Sequence, residues 1–394
     1  MLSEPVNLVH WSSDPVLIQR KEYEMNIFAD ENMPLVREFF ADIGHVTLFN
    51  GRTVTASELV EADILLVRSV TRVDELLLAE NSRLRFVGTA TIGMDHIDQA
   101  YLARRNIAFN SAPGCNAQSV VEYVLSSLWC LAERYQWQLS NKTVGIVGVG
   151  NIGSRLAAAL KALQIPVLLC DPVRAEQESH FAHTAFSSLC QQADIISFHT
   201  PLIKDGRHKT KHLLDSECLS RLKPGCAIIN ASRGAVIDNL ALLAAQKHLR
   251  RPLVLDVWEH EPDILLPLLP YCDIATAHIA GHSVEGKARG TEMLYQRCCQ
   301  LLGIVPVVTL AELLAVPAVE KLQISANFGL PDVQSVARML YDVRRDDALF
   351  RHHIEGKGFD WLRKSYPARR EFSALQLVCQ ANQAWLGQLG FNGQ

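Results

Sequence analysis

From residue 25 onward, short runs of β-branched and other apolar residues alternate with longer stretches whose apolar positions recur at helical spacing. Residues 26–29, 64–67, 86–87 with their neighbours and 107–110 are predicted to be buried strands. Between them, 34–43 and 73–79 carry the helical spacing. Buried strands separated by helices make parallel sheets with crossovers, so this part of the chain is predicted to be a doubly wound α/β unit. Residues 116–137 keep helical spacing with no internal Gly or Pro, which predicts a long helix leading into a second unit.

The second unit repeats the alternation. Its expected strands lie at 143–149, 167–170, 195–199, 227–231, 253–257 and 274–277, the count of two mononucleotide-binding halves. Beyond His278 the pattern is helical over 284–302 and is expected to return to the first unit; 303–306 then forms a boundary. The remainder, to Gln394, is mixed α/β with charge-dense patches at 341–347 and 367–371. The first patch is expected to be a solvated face or an interface. Residues 1–24, with Pro5, Pro15 and Trp11, are expected to be a disordered leader.

Composition narrows the function. The 394 residues exceed one ordinary domain. A formal net charge of -4 leaves no footprint for nucleic acid or an anionic membrane, so an anionic ligand must be held by a local cluster. No apolar run reaches membrane-span length, and the N-terminus lacks a secretory-signal pattern. The ten cysteines are scattered without CxxC pairing, which suits buried thiols of a cytoplasmic protein better than a disulfide or metal framework; no metal is expected.

The chemistry lies at strand ends. Gly148-Val149-Gly150-Asn151-Ile152-Gly153 follows one expected strand and opens a helix over 154–163, and Asp171 closes the next strand. In that context Gly148 allows the tight turn, Gly150 a close approach of pyrophosphate, and Gly153 helix–strand packing. The helix N-terminus offers free amides, and Asp171 suits ribose hydroxyls, selecting NAD over NADP; nearby Arg174 blurs that selection. Arg233 is suited to clamp a carboxylate, or else to a structural ion pair with Asp256. His278 is suited to take a hydroxyl proton with Glu261 on its other ring nitrogen, although each alone is more often structural. Arg68-Ser69 and the 88–93 run, which includes Thr91, offer donors for a carboxylate or phosphate, or are ordinary turns.

These residues, in this order, resemble the D-isomer-specific 2-hydroxyacid dehydrogenases. The motifs are VRSVT at Val67, GTATIGMDHID at Gly88, APGCNAQSVVEY at Ala112, TVGIVGVGNIG at Thr143, FHTPL at Phe198, DVWEHEP at Asp256 and HIAGHSVEGKARGT at His278, with YDVRRDD at Tyr341 in the tail. The resemblance implies a flavodoxin-like substrate domain over 25–115 completed by about 284–302, a Rossmann NAD-binding domain over 116–283, and a C-terminal α+β dimerisation domain over 305–394. It implies that Arg233 and Glu261 are catalytic and His278 the acid/base. Substrate falls to Arg68, Ser69, Thr91 and His282, and NAD to the glycine turn, Asp171, Thr200, Ala231, Ser232, Arg233, Asp256 and Gly281. The implied protein is a homodimer acting on a phosphorylated hydroxy acid, with Arg344, Arg345, Arg369 and Arg370 as candidates to reach the phosphate across the dimer. His282 stands where the family usually has Tyr, and Ser232 where Cys is frequent. Other 2-hydroxyacid dehydrogenases, and an NAD-sensing scaffold of the same fold, remain alternatives.

Overall fold

The computed structural model describes residues 25–379 and 383–393, organised by three parallel sheets. The expected leader lies outside the described residues.

The first sheet holds β1 (Met25–Asp30), β2 (Gly44–Phe49), β3 (Ile64–Val67), β4 (Phe86–Thr89) and β5 (Ala108–Ser111), in the order β2-β1-β3-β4-β5. That is the flavodoxin-like arrangement. All four residues of β3 are buried, as a strand covered on both faces requires. The hydrophobic pattern missed β2, because this edge strand buries only Val46 and Phe49. The helix expected at 34–43 shrinks to Val36–Phe40, and the one expected at 73–79 is absent. There the Val73 backbone pairs with His96 and Asp98, and the Asp74 carboxylate accepts the Leu77 amide. Such local side-chain bonding favours a turn over a helix.

The second sheet holds β6 (Val144–Val147), β7 (Val167–Cys170), β8 (Ile195–Phe198), β9 (Ala227–Asn230), β10 (Leu253–Leu255) and β11 (Ile274–Ala275), ordered β11-β10-β9-β8-β6-β7. Six strands are present, but they divide two and four about the β6–β8 switch point instead of three and three. The segment that would continue the sheet past β7 is largely polar; it gives only the Thr184 amide to the Leu169 carbonyl before turning back. Ligands of open α/β sheets bind at the carboxyl ends beside the switch point, which here lies between Gly148 and His199.

Two 19-residue helices, Ala117–Tyr135 and Val284–Leu302, carry the chain between the two units. The C-terminal region adds β12 (Lys321–Ile324), β13 (Gln376–Cys379) and β14 (Asn392–Gly393), with helices Leu330–Leu340, Val343–Lys357 and Phe359–Lys364. Val333, Ala337, Tyr341, Phe372 and Leu377 share one core with Val121, Val124 and Leu128 of the first long helix. The charge-dense patches are solvated on one side only, where Arg344 and Arg345 stay exposed. Tyr341, Asp346, Arg369 and Glu371 are all buried, with Asp346 held by Tyr341, Arg345 and Tyr366, and Glu371 by Ser119, Ser283 and Arg289.

Candidate active site

The glycine turn does three different jobs. Gly148 has φ +87°, and a Cβ there would sit 2.7 Å from the His199 carbonyl oxygen. At Gly153 a Cβ would meet the Gly148 carbonyl oxygen at 2.1 Å, so helix Asn151–Ala162 packs against the turn only with glycine. A Cβ at Gly150 would meet nothing within 4 Å. The turn thus faces open space there, in a cleft of about 1090 Å³ that Asp171 and Thr200 also line. A pyrophosphate fits this opening against the first amides of the helix. Thr200 Oγ1 is buried without a partner, a polar atom waiting for one.

Asp171 holds the shape of the cleft. Its carboxylate accepts the Val149 amide at 2.9 Å and the Arg174 amide at 3.0 Å, tying the glycine turn to the helix after β7. Arg174 is engaged by Glu178 and by the carbonyl of Val149, and lies over the Phe181 ring. Its guanidinium is therefore not free for a 2′-phosphate. Ser232 turns its hydroxyl inward to Asn230, and Ala231 and Ser232 are both buried.

His278 and Glu261 meet as a pair. Imidazole Nδ1 lies 2.8 Å from Glu261 Oε2, and the other carboxylate oxygen accepts the Trp258 amide. A carboxylate can only accept, so the pair places the proton on Nδ1 and leaves Nε2 as the lone-pair nitrogen. His278 adopts φ 56°, a left-handed conformation rare for a non-glycine residue. Asp256 holds that turn: its buried carboxylate accepts Thr276 Oγ1 and the Ile279 and Ala280 amides. Burial pushes this carboxyl up from its ordinary value against the pull of His278 and those donors. As placed, Asp256 braces the histidine turn from below.

Arg233 follows β9 and reaches toward the first unit. A Cβ at Gly93, in the turn that follows β4 of the other unit, would come within 3.3 Å of an Arg233 terminal nitrogen. Next to it, a Cβ at Gly234 would fall 1.9 Å from the Trp258 backbone, so only glycine lets the segments carrying Arg233 and Glu261 approach. Thr91 donates to the Gly93 carbonyl and shares a hydrogen bond with Thr89, whose hydroxyl also meets His96. Ser69 is exposed on the turn after β3.

Within this chain the tail arginines are each engaged by nearby groups. Arg344 binds Asp342 and Glu133, Arg345 binds Asp346, Arg369 is fully buried, and Arg370 binds Glu285. Other cations act on His282. His282 is held well below the ordinary imidazole range by burial first, then by Lys287, Arg363, His278 and Arg68. Lys287 is itself lowered by burial, Arg68 and Arg363. Both His282 Nδ1 and Arg363 Nε are buried without partners, and the His282 ring lies 5.8 Å from that of Tyr366. Lys287 stands inside the EGKARGT motif, but no pattern in the sequence singled out Arg363. Its proximity comes from the helix Phe359–Lys364, whose Trp361 and Leu362 line one pocket with Ala277 and Ile279.

Residues 116–280 match the family model of the D-isomer specific 2-hydroxyacid dehydrogenase, NAD binding domain, and residues 313–390 match a domain of unknown function. A D-lactate dehydrogenase from Aquifex aeolicus, solved with NAD and lactic acid, superposes with a TM-score of 0.59 at 26% identity, covering 71% of this chain and 96% of that one. A 3-phosphoglycerate dehydrogenase of Entamoeba histolytica, at 21% identity, shares the fold with a TM-score of 0.60, covering 71% of this chain and 96% of its own. The chain is 53% identical to the erythronate-4-phosphate dehydrogenase of Pseudoalteromonas translucida over 93% of its length and 99% of the relative's. It is 50% identical to that of Klebsiella pneumoniae over 93% and 98% respectively. With the glycine-turn cleft, the His278–Glu261 pair and full-length similarity together, the chain belongs to the erythronate-4-phosphate dehydrogenase family, built on the D-isomer-specific 2-hydroxyacid dehydrogenase fold.

Proposed function

We propose that this protein oxidises 4-phospho-D-erythronate at C2 to (R)-3-hydroxy-2-oxo-4-phosphooxybutanoate, a step toward pyridoxal 5′-phosphate, as a homodimer in the cytoplasm. The observation that carries the reading is the His278–Glu261 pair at 2.8 Å, in a chain whose glycine turn opens into a cleft suited to NAD. When bound, NAD supplies the acceptor for the hydride that leaves C2.

The chain's own residues do the rest. His278 Nε2 takes the C2 hydroxyl proton as the carbonyl forms, and Glu261 steadies the charged imidazole through Nδ1. Arg233 holds the C1 carboxylate from one side of the cleft, with the Thr91 turn on the other. The positive set Arg68, Lys287 and Arg363 beside His282 receives the phosphate, so the tail region contributes to specificity. His282, whose imidazole is held well below its ordinary range by burial first and then by its cationic neighbours, offers a ring nitrogen to the same anion in place of the tyrosine hydroxyl usual in the family.

NADH formation by the purified protein, offered 4-phospho-D-erythronate and separately 3-phospho-D-glycerate, tests this. A 2-oxo acid serves as reoxidant if NADH stays bound. Strong preference for the four-carbon acid is expected; preference for the three-carbon acid would overturn the substrate assignment and leave the triad standing. NAD binding with no turnover of either would favour an NAD-sensing scaffold.

A further inference from the structure

The tail places a fully buried arginine under the turn that carries His278. Arg369 donates to the Ala280 carbonyl at 3.1 Å and to the Ser119 carbonyl at 2.6 Å, stacks 3.5 Å from the centre of the Tyr341 ring, and faces Glu122 at 3.7 Å. Its own carbonyl accepts the Val284 amide at the start of the returning helix. Ala280 is thereby gripped through both of its flanking peptides, its N–H by Asp256 and its C=O by Arg369. Two residues on, Glu371 accepts the hydroxyls of Ser119 and Ser283, each at 2.9 Å, and pairs with Arg289 at 2.8 Å. One short tail segment therefore reaches both interdomain helices and the histidine turn.

A buried guanidinium is costly, and an apolar side chain of similar volume would commonly serve stability as well. What an apolar residue, or lysine, cannot do is bridge two carbonyls on two elements with one rigid fork. From this geometry we infer that Arg369 is a positioning residue for catalysis: it holds the His278–His282 turn in its left-handed, substrate-facing conformation, so the C-terminal region sets the turnover of a site built in the other two units. The inference rests on the reading of His278 as acid/base.

The test compares the parent with Arg369→Lys, which keeps a cation near Glu122, and with the double variant R369M/E122Q, which leaves no unpaired buried charge. Expected for both is a fall in kcat of tenfold or more, with KM for 4-phospho-D-erythronate and NAD affinity within about twofold. Hydrogen exchange of the amides around Ile279 and Ala280, which needs no substrate, should rise at least tenfold while the amides of β6 and β8 keep their protection. Parent-like kcat and parent-like local exchange in either folded variant would overturn the inference. So would exchange raised uniformly over the whole chain, which marks a merely structural role. If R369M/E122Q does not fold, Arg369→Lys decides alone. An inactive parent would refute the proposed function, while the exchange data would still judge the brace.

Discussion

Three glycines of one motif separate structural need from ligand need. Gly153→Ala forces a Cβ to 2.1 Å from the Gly148 carbonyl oxygen, and should cost several kcal/mol or abolish folding, read from urea unfolding. Gly150→Ala meets nothing within 4 Å, so its stability should stay within about 0.5 kcal/mol of the parent. NAD affinity should nevertheless fall about tenfold or more, because the methyl group occupies the space a pyrophosphate needs. Unchanged NAD affinity in Gly150→Ala would remove the pyrophosphate from this turn. Of the catalytic pair, His278→Ala should lower kcat by roughly 10²- to 10⁴-fold while NAD still binds. Unaltered turnover would dismiss the acid/base role. The sequence pointed to these residues because each ends a strand or opens a helix. It could not show that Ser232 turns inward or that Asp256 lies under the histidine turn, since both facts depend on neighbours remote in the chain.

At the scale of elements, β8 is followed at once by a buried histidine. His199 is pushed down to about 3 by burial, with Nε2 on Ser197 and Nδ1 unpartnered. Below the unfolded value near 6.5 the unfolded chain binds a proton that the native protein refuses, so stability falls with pH from there down to about 3. The slope from this residue approaches about 1.4 kcal/mol per pH unit. Denaturant midpoints at pH 7 and 5.5 should show it, and His199→Gln should flatten the difference; an equally steep variant would dismiss His199 as a source. Strand and helix types were legible where burial is symmetric, as in β3 and β6, both wholly buried. Edge strand β2 escaped because only one face is covered, and the 73–79 helix failed because backbone pairing with the 96–98 turn outcompeted its spacing.

For the molecule as a whole, specificity is assembled from distant pieces. Arg363→Ala should raise KM for the phosphorylated acid at least tenfold, as expected for losing one charge-assisted contact of about 1.5 kcal/mol or more, and leave NAD affinity unaltered. Steady-state kinetics with erythronate and its 4-phosphate would check this: a variant that loses both substrates equally refutes a phosphate role. Truncation after residue 304 should yield insoluble or unfolded protein, because it strips the apolar partners of the helix Ala117–Tyr135, whose residues share a core with the tail. A soluble, well-folded truncation product in circular dichroism and melting would contradict that. The buried Ser119, Glu122 and Ser126 of that helix were the available signal for tail docking. Polar residues along an otherwise apolar helix mark partners still to come, here Glu371, the Phe372 amide and the Val343 amide.

By itself the sequence determined the alternation of strands and helices, the glycine turn, and the order of Arg233, Glu261 and His278, because local periodicity and strand-end chemistry are properties of neighbouring residues. Tertiary structure alone decided which cations face His282, which carboxylates act as braces, and that Arg369 lies in the core. Those outcomes depend on desolvation and on pairings across as many as 250 positions of chain, which no local pattern encodes.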